Sequence, residues 1–418
     1  MEKNFKVKRN LLCNMILSLY LISVVFIPVD LYITNKIIVA TGVISFFLLF
    51  FTSLRDYKRG LVVLSSGLLL LGALDLVWYE LYKTNQTIYI NSYRGYLEAG
   101  KMFVFSSFTF LLLIKNNFNI PIKYHVTIVF LTQILVISRA TYQHVILNAD
   151  RIPLSAMSGN IGQMGAATIA AYAITFCALY SSIVFLKLES KYKWIAFYTN
   201  FALVFLALLM TGTRAAIIVF PFLIVAMLFI YHRERKVLII KEVGAVLILL
   251  LGCGLLFSKE IELRAMALKN DINLYLVKNN SLSSVGARFS MIQAGIEGAP
   301  KGLEWQSLEQ RAININELSN KNDIYKGAVE FLGVHMHNEI IEALSTKGFF
   351  GVIFLFFFYG SLIYYCLREK TYLLLVFPFS IMVFGLSDVI THDKPIPAAW
   401  IVCLFLSASL LGKKDKHC

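Results

Sequence analysis

Two histidines one residue apart, His335 and His337, are followed at once by Asn338 and Glu339 in the stretch GVHMHNEIIEALSTKGFFG, Gly333 to Gly351. A neutral imidazole can take the proton of a hydroxyl near pH 7, which makes either histidine a candidate general base. Met336, Ile340 and Leu344 recur every fourth position, which predicts a short amphipathic helix that Gly348 would end. His337 and Asn338 then lie near a helix N-terminus, where free N–H groups and the helix dipole favour an anionic ligand. The same dipole favours the neutral form of His337, while Glu339 opposes it. HxH also offers two metal ligands, but the sequence makes no third or fourth evident. The plain alternative is that both histidines solvate a helix start at a membrane surface.

Arginine supplies the complementary chemistry: permanent charge, and paired N–H donors that match phosphate oxygens as a leaving group gains charge. Arg214 stands in TGTRAA between two apolar runs, and Arg288 in SVGARFSM. Arg94, and Arg151 in NADRIPLSAMSGN, have weaker claims. Asp388 closes an apolar run in GLSDVITHDKP, with His392 and Asp393 just beyond. The structural alternatives are an interfacial anchor for Arg214, a solvated helix residue for Arg288 and loop residues for the last group. Asp75 and Lys101 fall several residues inside consecutive apolar runs, so they are expected to pair in a structural role. Phosphate-binding GxxxxGK and GxGxxG loops are absent, as is a DxD or other carboxylate cluster for a divalent cation.

The elements that must position these residues are membrane helices. The 418 residues are 58% hydrophobic and only 15% charged, with a mean hydropathy of +0.69, far above a soluble chain. Apolar runs fall near 11–29, 36–53, 61–79, 96–114, 124–140, 162–186, 195–211, 215–232, 237–257, 348–367, 371–387 and 397–412. The expected fold class is therefore all-α: a polytopic membrane protein of about twelve transmembrane helices with a helical cap, a GT-C-like arrangement. Its organisation would be residues 1–257 as spans one to nine, 258–347 as a large outer loop, and 348–418 as the last three spans and tail. Amphipathic stretches such as KEIELRAMALKN and SVGARFSMIQAGI predict helices in that loop rather than disorder.

A net charge of +14 raises the question of nucleic acid, but the basic residues cluster in alternate loops, as membrane topology requires. Loops containing Arg55, Lys58 and Arg59, Lys187 to Lys193, Arg233 to Lys236, and Lys413 to Lys416 are far more basic than those containing Lys36, Arg94 or Lys394. Both termini are then cytoplasmic, and the histidines and arginines gather on the outer face. None of the six cysteines lies in the loop 258–347 and no CxxC occurs, so neither a disulfide framework nor a thiolate metal site is expected. The basic start followed by LLCNMILSLYLISVVFIPV is expected to remain as a first span.

Over nearly its whole length the chain resembles the O-antigen ligase family of integral-membrane glycosyltransferases. The resemblance rests on GALDLVWY at 72–79, TGTRAA at 211–216, GARFSM at 286–291, VHMHNEIIEALSTKG at 334–348 and GLSDVI at 385–390, in that order. It implies transfer of O-antigen polysaccharide from undecaprenyl diphosphate to lipid A–core oligosaccharide at the periplasmic face of the bacterial inner membrane. It also implies action without metal, cofactor or nucleotide sugar, with membrane lipids and those two substrates as the partners. By resemblance, Arg214 and Arg288 bind the diphosphate and His337 activates the acceptor hydroxyl. His335, Asn338, Arg151 and Asp388 are accessory candidates. An O-antigen polymerase, using a second lipid-linked chain as acceptor, is the nearest rival, and a protein O-oligosaccharyltransferase is more distant. A twelve-span transporter would place its polar residues at midplane in internal repeats, whereas here they collect at one face.

Overall fold

Lipid offers the backbone no hydrogen-bond partner, so long apolar runs must satisfy their own N–H and C=O groups as helices. The structure is a computed structural model that describes residues 2–51, 57–115, 120–155, 159–163, 165–278, 280–392 and 395–412. Arg55, Asp393, Lys394 and the tail lysines considered above lie outside the described residues. The helices are α1 (Glu2–Phe26), α2 (Leu31–Leu49), α3 (Arg59–Tyr82), α4 (Ile90–Lys115), α5 (Ile122–Thr141), α6 (Ala166–Leu186), α7 (Lys193–Thr211) and α8 (Arg214–Tyr231). They continue as α9 (Lys236–Leu256), α10 (Ser258–Lys278), α11 (Ser284–Glu297), α12 (Leu308–Lys321), α13 (Lys326–Val329), α14 (Glu339–Arg368), α15 (Val376–Gly385) and α16 (Ile396–Leu411). Strands are absent among the described residues.

Among the described residues ten helices, α1 to α9 and α14, are long and apolar enough to cross a membrane, and Tyr372–Gly385 and α16 are shorter apolar helices. The chain is a multi-pass membrane protein, and the twelve expected runs all become helices. α6 and α16, apolar on every side, are the most buried, as that pattern requires. α16 packs on α6, α1, α4 and α2, while α3 lies along both α4 and α14. Small residues permit that closeness: a Cβ on Gly72 would sit 2.8 Å from the Gly100 carbonyl.

Residues 258–338 gather at the end of the bundle where α3, α5, α7, α9 and α15 finish. Ser283 and Ser307 cap α11 and α12 by accepting from Gly286 N and Gln310 N. Ala287, Met291, Ala294, Ile315, Ala328, Met336 and Ile341 form a small apolar cluster of their own. A second cluster of Trp78, Tyr93, Tyr96, Leu308 and Ala312 fastens α12 to the ends of α3 and α4. Trp78 Nε1 donates to the Gln306 carbonyl at 3.1 Å across that seam.

The helix after the histidines starts at Glu339, and Gly348 (φ +56°, ψ −149°) interrupts it as expected, its non-helical backbone separating a short first helix from the long apolar one across a kink. A Cβ there would meet the Glu304 carbonyl at 2.7 Å. The amphipathic pattern departs from expectation: Glu339, Glu342, Thr346 and Lys347 are buried, and of the apolar stripe Met336 is buried whereas Ile340 and Leu344 are only half-buried. In a membrane bundle the apolar face can meet lipid or the cap, and the polar face turns inward to partners.

Candidate active site

Asn338 is the pivot of the HxHN segment. Its Oδ1 accepts from Ile340 N and Ile341 N, both at 3.1 Å, and so caps α14. Its Nδ2 donates to the Leu386 carbonyl at 3.1 Å, which ties the cap to the segment between α15 and α16. His337, just before it, has φ +47°. A non-glycine residue pays about 1–2 kcal/mol for that left-handed conformation, so the surroundings must hold it. Glu342 does so by accepting from Met336 N at 2.8 Å.

The result is that both histidines reach one carboxylate. Asp388 Oδ1 accepts from His335 Nε2 at 2.7 Å, from His337 Nδ1 at 3.3 Å and from Val389 N at 2.9 Å. Donation from Nδ1 leaves the His337 Nε2 lone pair as the proton acceptor, with no partner on it among the described residues. Burial and then the neighbouring His335 lower the His337 pKa, with Asp388 opposing and Arg288 adding to the fall. Burial pushes the Asp388 carboxyl up, but the two imidazoles outweigh it and hold the group well below the ordinary carboxylate range. A neutral, oriented imidazole beside an ionised carboxylate is the arrangement a general base needs.

The sequence made no third metal ligand evident; the fold supplies one. His335, His337 and Asp388 bring their ligand atoms within 4.8 Å of one another. The imidazole nitrogens that face Asp388 both bond its Oδ1.

Across the same end stand the arginines. α7 ends at Gly212 in the left-handed conformation (φ +62°), Thr213 is extended, and α8 begins at Arg214. A cation at a helix N-terminus opposes the dipole, so its placement is not explained by helix stability. Asp271 of α10 lies 3.6 Å from Arg214 Nη1. Arg151 Nε donates to the Thr211 carbonyl at 3.0 Å and its Nη2 to Thr213 Oγ1 at 3.2 Å, which docks its loop on the TGTR turn. Burial, then the charges of Arg264, Arg288 and Arg214, lower the Arg151 pKa. Like charges gathered in this way repel, and a bound anion would offset that repulsion. Arg288, one turn into α11, acts on Arg151 and on His337 alike.

The structure therefore joins His335 and His337 through Asp388, with Asn338 tying their segment to Leu386, and docks Arg151 on the turn that leads to Arg214. Arg94 is exposed and belongs to neither arrangement. Sequence reasoning missed Arg264, which the amphipathic stretch KEIELRAMALKN contains without any motif to single it out. It also missed Tyr172, whose hydroxyl lies 3.3 Å from Ser387 Oγ.

The expected Asp75–Lys101 pair does not form. Lys101 lies half-exposed, 3.5 Å from Glu98, one helical turn away. Asp75 is buried and its Oδ1 accepts from Lys347 Nζ at 2.7 Å and from His392 Nε2 at 3.1 Å. The Lys347 ammonium also sits 4.4 Å from the centre of the Tyr96 ring. Next to it, Glu342 pairs with Arg311 at 2.9 Å and accepts from the Tyr96 hydroxyl. Depth along the span gave similar heights for Asp75 and Lys101, but their facing directions differ.

A sequence profile described as O-Antigen ligase matches residues 199–356, a stretch holding Arg214, Arg288, His335, His337 and Asn338. A protein of Escherichia coli (strain K12) named O-antigen ligase is 30% identical over 353 residues, covering 84% of this chain and 82% of that protein.

Proposed function

The chain belongs to the O-antigen ligase family, and from that premise we propose that it transfers O-antigen polysaccharide from undecaprenyl diphosphate onto lipid A–core oligosaccharide. The reaction takes place at the periplasmic face of the bacterial inner membrane, with both termini cytoplasmic, and residues 258–347 form the periplasmic cap between spans one to nine and the last three. One observation supports this reading: Asp388 bonds both His335 Nε2 and His337 Nδ1, leaving His337 Nε2 as a base, while Arg151 is docked on the turn from which Arg214 projects.

In the step proposed, the acceptor hydroxyl gives its proton to His337 Nε2 as its oxygen bonds the anomeric carbon. The bond from that carbon to the diphosphate oxygen breaks, and the electron pair leaves with undecaprenyl diphosphate. Arg214, Arg288 and Arg151 take up the growing negative charge, the part a divalent metal plays elsewhere. Asp388 holds His337 in its tautomer and steadies the imidazolium that forms. His335 shares that carboxylate and sets the orientation of the pair, and Asn338 fixes both against the 386–392 segment.

Purified protein given undecaprenyl-diphosphate-linked polysaccharide tests the reading. Product on added lipid A–core is the expected outcome. Chain growth on a second lipid-linked chain, with none on lipid A–core, would make the protein a polymerase.

A further inference from the structure

Arg264 has no place in the account so far. It lies in α10, two turns into the first cap helix, and its side chain reaches back over the TGTR turn. A Cβ on Gly212 would stand 2.9 Å from Arg264 Nη2 and 3.3 Å from its Nε. Only glycine leaves that space, and Gly212 is also in the left-handed conformation that glycine tolerates best. The guanidinium therefore lies against Gly212, on the turn that Arg151 also bonds and two residues before Arg214.

Among the described residues its charge is unmatched. Arg214 has Asp271, at 3.6 Å, but Arg264 has no carboxylate or hydrogen-bond partner among the described residues. Among the neighbouring cations, it is Arg264 that acts most strongly on Arg151, ahead of Arg288 and Arg214. Four arginines from four separate segments, the 147–155 loop, α8, α10 and α11, thus face one another with one carboxylate between them among the described residues. Folding gains nothing from bringing like charges together, so the arrangement is explained by an anion of more than one charge with oxygens facing several directions.

We propose that Arg264 is a further ligand of the donor's diphosphate, contributed by the cap, and that the diphosphate lies over the Gly212 turn between Arg264 and Arg288. The proposal rests on the reading of the site as a lipid-diphosphate site and adds to it. Arg264 binds the phosphoryl oxygens remote from the sugar, while Arg288, next to His337, faces the bridging oxygen that leaves. Arg264 therefore discriminates diphosphate from monophosphate, because a single phosphate seated by Arg288 does not extend to α10.

The experiment measures binding of undecaprenyl diphosphate, a sugar 1-phosphate (the monophosphate that keeps only the sugar-side group) and phosphatidylglycerol to the full-length protein in neutral-lipid nanodiscs. Wild-type protein is compared with Arg264→Gln and Arg264→Lys, each with its Tm measured without ligand. Loss of a charge-assisted contact predicts about tenfold to a hundredfold weaker diphosphate binding by Arg264→Gln at unchanged Tm. Monophosphate binding should change by less than about threefold, and Arg264→Lys should recover part of the loss because it keeps the charge without the planar fork. If Arg264→Gln does not assemble, Arg264→Lys carries the test, and diphosphate affinity equal to wild type overturns the proposal. Equal loss for mono- and diphosphate, or loss confined to phosphatidylglycerol, overturns it in favour of a general phosphate or headgroup contact. Failure of the wild-type protein itself to bind undecaprenyl diphosphate would instead overturn the functional reading beneath it.

Discussion

Two groups of charges at the same end of the bundle are built on opposite principles. The inner one is matched: Asp75 takes Lys347 and His392, Glu342 takes Arg311, and Glu339 accepts from Thr391 N at 2.6 Å and from the Tyr359 hydroxyl. The outer one is not: Arg151, Arg214, Arg264 and Arg288 have Asp271 as their one facing carboxylate among the described residues. Matched charges inside a bundle fix geometry, whereas unmatched ones wait for a ligand. The segment 386–392 joins the two, since Asp388 holds the histidines of the outer site while Thr391 and His392 are held by the inner one. The inner group is thus the footing on which Asp388 and the base are placed.

The sharpest break in this comparison comes from the base itself. His337→Ala should lower ligation by about 10²–10⁴-fold, measured as product on lipid A–core, with protein level unchanged. His335→Ala should do less, because it removes a co-donor to Asp388 and not the proton acceptor. Matching results for the two variants would mean that the histidines act as one unit.

The inner group should answer in stability before activity. Asp75→Ala leaves Lys347 buried with His392 as its remaining partner, and loss of one member of such a pair costs about 3–5 kcal/mol. A double change of Asp75→Ala with Lys347→Met should destabilise less than the sum of the single changes, with a coupling of about 1–3 kcal/mol in a thermal-melt cycle. Additive effects would mean that the pair seen here contributes nothing. Lys101→Met should leave stability unchanged within about 0.5 kcal/mol.

In the outer group, Arg214→Ala or Arg288→Ala should reduce transfer by ~10²-fold or more without lowering Tm. Lysine at either position should restore only part, lacking the bidentate fork. Normal ligation by Arg214→Ala would make that residue a membrane anchor.

The smallest expected effect is on pH dependence. A base works when unprotonated, and burial with His335 places the His337 pKa below the ordinary histidine value of about 6.5. Transfer should therefore persist below pH 6.5 and fall as pH drops through the lowered value. Since Asp388 supports the protonated form, Asp388→Asn should move that acid limb lower still while reducing the maximum rate. A limb above pH 7 would contradict the neutral, buried imidazole.

Much of this was legible beforehand, for identifiable reasons. Hydropathy located the spans because lipid leaves no alternative to helix, and His337 and Asn338 read as lying near a helix start because the apolar residues around them recur at helical spacing. Arg214 stood out because a two-residue turn confines it. Pairings were not legible, because a sequence gives height along a helix and not the direction a side chain faces; hence Asp75 was matched to Lys101. Lys347 was hidden by its place before a glycine that looked like a helix stop. Asp388 read as a loop residue although it holds both histidines, since its partners are some fifty residues away in sequence.

The most direct test of the account is transfer by purified His337→Gln protein preloaded with lipid-linked donor, run beside wild-type protein in EDTA. The account predicts that the variant retains donor and forms no product, and that wild-type transfer is unaffected by the chelator. Wild-type transfer that stops in EDTA and returns with Zn²⁺ or Mg²⁺ would contradict it, making His335, His337 and Asp388 the ligands of a metal rather than a base and its support.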